Sequence, residues 1–305
     1  MIHLAITGGT GFVGQTLLDM VGLDHADSLA VKALARRIPA PRTGVEWIKG
    51  DLHDRAALAR LVDGVQAVIH VAGVVNAPDV AEFDRANVDG TVALMEACKA
   101  AGVSRFIFVS SLSAREPTLS RYGASKARAE EAVKASGLDW TIIRPPAIYG
   151  PRDREMFELF RAASHGVVPV PAGGRASLIH VKDLARLLLA LVEVEGANAV
   201  FEPDDGTPDG WRNEDMARAL GEAVRRKVRV IPLPPFVLRL GAVLDTLLRG
   251  RKAKLTFDRV GYMVHPDWVC SPAAAPPSQI WKPEISTQEG FAATASWYRG
   301  ARWIT

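Results

Sequence analysis

The sequence predicts an α/β protein in which helices cover both faces of a parallel β-sheet. Three observations support this fold class. Short apolar runs alternate with longer amphipathic runs through the first half of the chain, the pattern of repeated strand–helix–strand units. The apolar runs are nearly continuous, as strands buried on both faces require. A glycine cluster, TGGTGFVG at residues 7–14, separates the first strand from the first helix.

Residues 1–150 contain the strands and helices of the predicted sheet. The predicted strands are IHLAIT (2–7), LAVKAL (29–34), VEWIK (45–49), AVIHVA (67–72), RFIFVS (105–110) and WTIIRP (140–145). The predicted helices are 12–21, 54–62, 80–101 and 121–136, with Gly64, Gly102 and Gly137 where helix C-caps are expected. We expect the strand order 3-2-1-4-5-6. Later segments, including 139–145 and roughly 198–202, should add strands to this sheet or its edge.

The pattern changes after residue 150, where proline and glycine become frequent, as in HGVVPVPAGG (165–174). Helices are predicted at 180–196 and 212–226, a strand at 228–233, and a proline-rich stretch at 271–283. We therefore expect a core that contains the sheet over residues 1–150. Residues 151–305 should form mainly a smaller C-terminal lobe, with segments that return to the sheet.

Composition and charge exclude several classes of protein. The 305-residue chain is 48% hydrophobic and 23% charged, which is ordinary for a globular protein. Its 37 basic residues are spread among 34 acidic ones and give a net charge of +3, so we expect no nucleic-acid partner. The two cysteines, Cys98 and Cys270, form neither a disulfide framework nor a metal-ligand spacing. We expect both thiols to be buried or incidental, and we expect no metal.

The sequence offers no recognisable targeting or membrane-spanning segment. The first predicted strand begins directly after Met1, so we expect no signal peptide. The longest apolar candidate, FVLRLGAVLDTLL (236–248), is too short to span a bilayer and contains Arg239 and Asp245. We therefore expect a cytoplasmic protein.

That apolar stretch belongs to a predicted amphipathic helix, PLPPFVLRLGAVLDTLLRG (232–250). The basic residues that follow suit the end of a helix; they are Arg249, Arg251, Lys252 and Lys254. A helix that packs on the core with a solvated basic end is the favoured interpretation, and a membrane or lipid contact is the alternative. Trp268 and Trp281 are candidates for pocket walls, although buried structural tryptophans are more common.

The glycine cluster predicts a dinucleotide site. It contains Gly8-x-x-Gly11-x-x-Gly14 and equally Gly9-x-Gly11-x-x-Gly14, at a strand-to-helix junction. Glycine permits the tight turn, the approach of phosphates to the backbone and close packing of the helix on the strand. The helix N-terminus then faces the phosphates with free N–H groups. A glycine-rich turn without a ligand is the alternative, but the alternating α/β context favours a Rossmann dinucleotide fold.

The end of the second strand favours NADP over NAD. NAD-binding chains carry an acidic residue there for the ribose 2′-hydroxyl. This chain instead has Arg36 and Arg37, and a guanidinium suits a 2′-phosphate; a pair of solvated arginines is the alternative. After the third strand, Asp51 and Leu52 are candidates to contact the adenine. Asp51 could equally cap helix 54–62, for which Asp54 is as good a candidate.

A tyrosine and a lysine predict the chemistry. Tyr122 and Lys126, in YGASK (122–126), lie four residues apart on a predicted helix and so share one face. An ammonium beside a phenol lowers the pKa of the phenol, which can then act as a general acid or base. SSLS (110–113) follows the fifth strand, at the sheet edge where this fold class places its ligands. By itself the Tyr–Lys pair could be a solvated helix face.

Together these segments resemble the short-chain dehydrogenase/reductase superfamily, extended branch, which includes the NAD-dependent epimerases and dehydratases. The matching segments run through nearly the whole chain in order: TGGTGFVG, GDL, HVAG (70–73), NVDGT (87–91), FVSS (108–111), YGASK, RPPAIYGP (144–151), HVKDLA (180–185) and IWKPEIS…EGFAATASWYR (280–299). The resemblance implies a Rossmann core and a C-terminal substrate-binding lobe.

The resemblance also implies roles for individual residues. Ser111, Tyr122 and Lys126 would form the catalytic triad, with Ser110 and Ser113 as alternatives for the serine, and Asn87 would support it. Tyr122 would exchange the hydroxyl proton, and Lys126 would hold the nicotinamide ribose. The remaining residues implied to bind the cofactor are Gly8, Thr10, Gly11, Phe12, Val13, Gly14, Val71, Ala72, Gly73 and Pro145.

Two departures from the nucleotide-sugar members of the branch bear on the substrate. Only ten residues separate Ser111 from Tyr122, which removes a possible lid. Pro146-Ala147 follows the RP motif, where asparagine is usual, and RASLIH (175–180) places no arginine in register for a sugar-nucleotide phosphate. The pattern is closer to the 3β-hydroxysteroid dehydrogenases and dihydroflavonol reductases. We therefore expect a hydride transfer between NADP(H) and an apolar, possibly cyclic, alcohol or ketone.

The sequence leaves two other functions open. One is a nucleotide-sugar epimerase or dehydratase with tightly bound NAD, which the two arginines argue against. The other is a non-catalytic protein that binds NADP(H) as a structural or sensing ligand; such relatives often lose the tyrosine or the lysine, and this chain has both. By analogy alone, helices 80–101 and 121–136 could pair two copies into a homodimer.

Overall fold

The computed structural model of the chain describes residues 1–24, 28–194, 196, 198–250, 253 and 255–304. Its elements to residue 149 are β1 (Ile2–Thr7), α1 (Phe12–Asp24), β2 (Leu29–Ala35), β3 (Val45–Lys49), α2 (Arg55–Val62), β4 (Ala67–His70), α3 (Val80–Asp84), α4 (Gly90–Ala100), β5 (Arg105–Val109), α5 (Arg121–Lys134), β6 (Asp139–Ile143) and β7 (Ala147–Tyr149). A π-helical turn occupies Arg85–Asp89, and a 3₁₀ turn occupies Leu112–Arg115.

The remaining elements are α6 (Phe157–Ser164), β8 (Val167–Pro171), β9 (Arg175–Ala176), β10 (Leu178–His180), α7 (Val181–Ala190), β11 (Ala199–Phe201), β12 (Trp211–Arg212), α8 (Asn213–Ala223), β13 (Arg229–Leu233), α9 (Pro235–Arg249), α10 (Phe257–Met263), β14 (Asp267–Trp268) and α11 (Thr287–Gly300). Short 3₁₀ turns lie at Leu191–Glu193 and Pro272–Ala274. Among the described residues, no helix is long and apolar enough to cross a membrane.

The central sheet has the predicted order. Its strands within the described residues run β11-β6-β5-β4-β1-β2-β3, and every neighbouring pair is parallel. The expected order 3-2-1-4-5-6 is therefore confirmed, and the strand expected near 198–202 is β11, which pairs with β6. All residues of β4 and β5 are buried, as their continuous apolar runs predict. The carboxyl ends of the strands consequently meet at one edge of the sheet.

The predicted helix over 80–101 is interrupted. The structure has α3, then the π-helical turn, then α4. Asn87 lies in the middle of the π-helical turn and is 1% exposed. A π turn adds one residue to a helical turn and rotates the side chains that follow, and such turns are frequent at functional sites. Hydrophobic spacing does not reveal this widening, because the apolar positions on both sides of it still repeat every three to four residues.

The chain forms two compact units. The first comprises Met1–Arg144, Leu184–Glu202 and Pro276–Lys282, and the second comprises the rest of the described chain. The core of the first unit lies between the sheet and its helices and includes Phe106, Phe108 and Leu58. The core of the second unit is rich in aromatic rings that pack edge to face; these are Tyr149, Phe157, Phe160, Phe291, Tyr298 and Trp303.

The expectation that the helix at 236–248 packs on the core is wrong for most of its length. In α9, only Leu238 and Ala242 are buried, and both contact a small cluster around Val260. Most of its larger apolar side chains are exposed, including Phe236 and Leu247. The amphipathic pattern predicts the helix itself, but the pattern does not tell which side the fold covers.

Candidate active site

Glycines in the loop between β1 and α1 allow neighbouring backbone segments to pack closely together. Gly8 has φ +76°, and a Cβ on Gly8 would lie 2.7 Å from the Ala72 nitrogen. A Cβ on Gly14 would lie 2.1 Å from the Gly8 oxygen, so α1 can pack against the loop only if Gly14 carries no side chain. The amide of Gly11 donates to the Gly8 oxygen at 2.9 Å and closes the turn.

The exposed part of this loop lies at the N-terminus of a helix. Thr10 and Gly11 are exposed, Phe12 is half-buried and Val13 is buried. The first N–H groups of α1 have no partner within the helix, and the helix dipole favours an anion beside them. The Gln15 side chain donates to the Thr10 oxygen at 2.7 Å and braces the loop. This cradle fits the pyrophosphate of a dinucleotide.

The residues after β2 and β3 lie at the same sheet edge. Arg36 and Arg37 are exposed directly after β2 ends at Ala35. Asp51 is exposed, and its carboxylate accepts from the His53 amide at 2.8 Å. Leu52 is half-buried and packs on the core of the first unit.

Asp54, and not Asp51, caps the helix α2. The carboxylate of Asp54 accepts from the Ala57 amide at 3.0 Å, which satisfies one of the unpaired N–H groups at the helix start. The alternative that Asp51 is the cap is therefore wrong, and Asp51 stays a candidate for contact with the adenine.

The loop after β4 is fixed to β1. The Val71 amide donates to the Thr7 oxygen at 3.3 Å, and the Ala72 amide donates to the Thr7 hydroxyl at 3.2 Å. Gly73 is exposed beyond them. Pro145, which is also predicted to border the nicotinamide, is buried and begins the second unit.

Lys126 is buried at the end of β5. Its side chain is 4% exposed, and its ammonium donates to the Val109 oxygen at 2.8 Å and lies 4.8 Å from the Phe108 ring centroid. Burial lowers the pKa of Lys126 from 10.5 to about 8, although the nearby carboxylate of Glu130 opposes the shift. At neutral pH the side chain is therefore still mostly an ammonium, although it loses its proton more readily than an exposed lysine does.

Asn87 joins the lysine to the loop after β4. Its side-chain oxygen accepts from the Val74 amide at 2.8 Å, and its NH₂ donates to the Val74 oxygen at 3.0 Å and to the Ser125 hydroxyl at 2.9 Å. A Cβ on Gly73 would lie 3.0 Å from the Asn87 oxygen and 3.4 Å from the Lys126 nitrogen. The loop, the amide and the ammonium thus meet at one point.

Tyr122 occupies the first turn of α5, one helical turn before Lys126. The Ser125 hydroxyl donates to the Tyr122 carbonyl at 2.8 Å, and the Tyr122 ring is tilted against Phe83 with centroids 6.3 Å apart. The Ser120 hydroxyl caps the helix by accepting from the Gly123 amide at 2.9 Å. The tyrosine is half-buried. Contacts within the first unit therefore position its ring, and part of the side chain is exposed.

The three candidate serines differ in their partners. Ser110 is buried and donates to Glu130 at 2.6 Å. Ser113 donates both its amide, at 3.2 Å, and its hydroxyl, at 2.9 Å, to the Ser111 oxygen. Ser111 thus accepts two hydrogen bonds, and its own proton remains to be donated. Gly123 brings this turn against α5, because a Cβ there would lie 2.5 Å from the Ser113 oxygen.

Sequence reasoning missed a buried histidine below the site. His70, the last residue of β4, is fully buried and bonds the Thr7 hydroxyl at 2.6 Å and the Thr91 hydroxyl at 2.9 Å. Thr91 in turn donates to the Asn87 carbonyl at 2.7 Å. Burial, together with the charge of Lys126, lowers the pKa of His70 to about 3, so the ring is neutral. This chain of hydrogen bonds connects the end of β1 with the π-helical turn.

Sequence reasoning also missed a buried ion-pair network. The Glu130 carboxylate, 1% exposed, accepts from Arg144 at 2.9 Å and 2.6 Å, besides Ser110. Arg144 also lies 3.5 Å from Glu202, which pairs with Arg115. The only sequence signal is the i, i+4 spacing of Lys126 and Glu130 on α5, which places a carboxylate one turn below the ammonium.

The lowered pKa of Lys126 predicts a pH dependence of stability. Between pH 8 and 10.5 the folded state loses this proton while the unfolded chain keeps it, so stability rises with pH across that window. Relative to a Lys126→Met variant, the parent should gain up to about 3 kcal/mol in free energy of unfolding. Urea unfolding of the apoprotein at several pH values measures this difference. Lys99→Met, at an exposed lysine of α4, is the matched control; a flat difference for Lys126→Met contradicts the prediction.

A glycine cradle at a helix N-terminus, with tyrosine, lysine and serine at the carboxyl edge of a parallel sheet, defines a class of protein. The chain is an NAD(P)-dependent oxidoreductase of the extended short-chain dehydrogenase/reductase type. The sequence model of the NAD dependent epimerase/dehydratase family matches residues 4–201, and the chain belongs to that family. The predicted resemblance is thus confirmed.

Individual relatives cover almost the whole chain. Ceramide reductase of Caulobacter vibrioides is 38% identical over 310 residues, which cover 99% of this chain and 96% of that protein. UDP-glucose 4-epimerase of Vibrio cholerae is 28% identical over 96% of this chain and 94% of that protein. The crystal structure of gox2253 matches with a TM-score of 0.80 over 100% of this chain and 99% of that chain, at 21% identity, which shows a shared fold.

Proposed function

We propose that the protein is an NADPH-preferring reductase that reduces a ketone on a long-chain, apolar substrate of the ceramide type. The observation that carries the chemistry is the buried ammonium of Lys126, one turn from Tyr122 on α5. The similarity to ceramide reductase along nearly the full chain supports the substrate class. The carbonyl reduced is a ketone, because an amide carbonyl is a far weaker acceptor of hydride.

Ser111, Tyr122 and Lys126 have distinct roles in this reaction. The Ser111 hydroxyl donates to the ketone oxygen and orients it. Tyr122 gives its phenolic proton to that oxygen, and the Lys126 ammonium stabilises the phenolate that remains. When bound, the nicotinamide supplies the hydride that reaches the carbonyl carbon. The partners of Ser110 and Ser113 support the choice of Ser111, since Ser110 donates to Glu130 and Ser113 donates to Ser111 itself.

The cofactor is assigned to the carboxyl edge of the sheet in the first unit. The loop from Gly8 to Gly14 holds the pyrophosphate, Arg36 and Arg37 hold a 2′-phosphate, and Asp51 and Leu52 contact the adenine. The segment from Val71 to Gly73 borders the nicotinamide half, and Lys126 binds the ribose. The positive φ of Gly8 and the exposed arginines support this assignment.

Two other functions are less well supported. A nucleotide-sugar epimerase needs a cation for the sugar-nucleotide phosphate, and RASLIH (175–180) places no arginine in the family's register for it. A non-catalytic sensor of NADP(H) does not need the tyrosine and lysine, both of which this chain has at the expected spacing.

A substrate assay tests the proposal. The protein should oxidise NADPH when it is given a long-chain, ketone-bearing N-acyl amino alcohol in detergent micelles. The absorbance at 340 nm should therefore fall. A steroid ketone and a flavanone should be slower, and UDP-glucose should give no product. Conversion of UDP-glucose to UDP-galactose without lipid reduction establishes the epimerase instead. Turnover of none of these compounds favours the sensing function.

The two arginines predict the cofactor preference. Charge-assisted hydrogen bonds contribute about 1.5–3 kcal/mol each, so NADPH should bind roughly tenfold or more tightly than NADH. Arg36→Ala/Arg37→Ala should remove most of this preference, as measured by fluorescence titration with both cofactors. Arg161→Ala/Arg218→Ala removes the same charge from exposed helices of the second unit and is the matched control. Equal affinity of the parent for both cofactors contradicts the prediction.

A further inference from the structure

The helix α9 presents an apolar stripe to solvent. Phe236, Leu240, Val243 and Leu247 repeat at spacings of four, three and four residues and so lie on one side of the helix. Phe236 is 69% exposed, Leu240 58% and Leu247 76%, and Leu244 and Leu248 widen the stripe with 52% and 84% exposure. We call these six residues the α9 stripe. Exposed apolar surface of this extent on one element marks an interaction site.

The opposite side of α9 makes the contacts within the second unit. It buries Leu238 and Ala242 against Val260. The rest of the second unit therefore covers only this side of α9 and leaves the α9 stripe exposed. Phe257, at the start of the neighbouring α10, is 59% exposed and adds a further ring to the exposed apolar surface of this region.

Charge identifies the kind of partner. Arg239 and Arg249 are exposed on α9, whereas the helix's one acid, Asp245, is 16% exposed and accepts from the Leu255 amide and from Arg249. In the sequence, residues 246–257 contain no acid and four basic residues. Three of the four, Arg251, Lys252 and Lys254, lie outside the described residues. Arg239 borders the α9 stripe, three residues after Phe236 and four before Val243, whereas Arg249 lies on the opposite side of the helix beside its partner Asp245. An apolar stripe bordered by an exposed arginine, in a basic stretch of sequence, is complementary to an anionic lipid surface.

We propose that α9 lies in the plane of an anionic membrane surface, with the α9 stripe among the acyl chains and Arg239 at the headgroups. The helix has 15 residues, which suits an interfacial position. A second copy of the chain is the competing occupant, but it would bring the same cations to the contact, whereas anionic headgroups neutralise them. The proposal concerns the second unit alone and does not depend on which ketone the enzyme reduces.

Vesicle sedimentation tests this inference with the full chain. The parent should sediment with vesicles of phosphatidylcholine and phosphatidylglycerol at 70:30, and less with phosphatidylcholine alone. Leu240→Ser/Leu247→Ser should weaken vesicle binding at least about tenfold, because each leucine loses its burial in the acyl region. Leu23→Ser, which changes an 82% exposed leucine on α1, is the matched control and should bind as the parent does.

The cations have a separate readout. Arg239→Gln should reduce the preference for anionic vesicles by about fivefold, and added salt should weaken the parent's binding. Circular dichroism of each variant checks that α9 and the fold persist. Failure of the parent to bind anionic vesicles overturns the proposal. A parent that is dimeric in solution and becomes monomeric in Leu240→Ser/Leu247→Ser, without vesicle binding, assigns the α9 stripe to a second copy instead.

Discussion

Tyr122→Phe should lower ketone turnover by about 10²- to 10⁴-fold, because it removes the proton donor and leaves the ring. Phe in this position keeps the packing against Phe83, and the backbone bond from Ser125 is unaffected. NADPH affinity should therefore change little. Single-turnover rates with the long-chain ketone, together with a fluorescence titration of NADPH, separate the chemical step from cofactor binding.

Substitution of the serines makes this expectation more specific. Ser111→Ala should lower turnover strongly, whereas Ser113→Ala removes only a hydrogen bond donated to Ser111 and should have a smaller effect. Ser110→Ala leaves the Glu130 carboxylate with one partner fewer and should affect stability more than turnover. A Tyr122→Phe variant as fast as the parent would refute the assignment of the phenol as proton donor.

Glu130→Ala should strongly lower the free energy of unfolding. It removes the buried carboxylate that accepts from Arg144 and Ser110 and leaves the guanidinium, 18% exposed, without its principal counter-charge. Breaking a buried ion pair from one side typically costs about 3–5 kcal/mol. The effect should lie near the lower end, since Glu202 remains 3.5 Å from Arg144. Urea unfolding followed by circular dichroism measures it.

The adjacent glutamate provides the control. Glu131 is exposed on the other side of α5 and pairs with Lys134 at 2.8 Å, so Glu131→Ala should change the free energy of unfolding by less than about 1 kcal/mol. Glu130 also raises the pKa of Lys126 against the effect of burial. Its loss should therefore shift the pH dependence described for Lys126 to lower pH. Equal effects of the two alanine substitutions would show that the buried network contributes nothing to stability.

Much of the first unit could be predicted from local patterns. Strands buried on both faces are continuous apolar runs, and the loop between β1 and α1 needs glycine at positions that a Cβ would block, such as Gly8 and Gly14. Parallel topology then places the residues after each strand at one edge, so Arg36, Ala72 and Ser111 could be assigned to one side of the sheet without coordinates. These features depend on neighbours in sequence or on the rules of a single fold class.

The remaining features depend on partners that are distant in sequence. Glu130 binds a residue 14 positions later and shares it with Glu202, and no periodicity links those positions. His70 belongs to a continuous apolar run, and only the two threonines that it contacts reveal it as a polar connection. The direction in which α9 presents its larger apolar side likewise depends on what the fold places beneath Leu238 and Ala242.

The interleaving of the two units has a consequence for synthesis on the ribosome. The first unit needs β11, which covers the edge of β6, and it also includes Pro276–Lys282 near the end of the chain. A nascent chain that has emerged only to residue 150 therefore displays β6 as an open edge with unpaired N–H and C=O groups. Such an edge invites pairing with other chains. The first unit should thus reach its final form only late in translation, and chains released early should depend on chaperones.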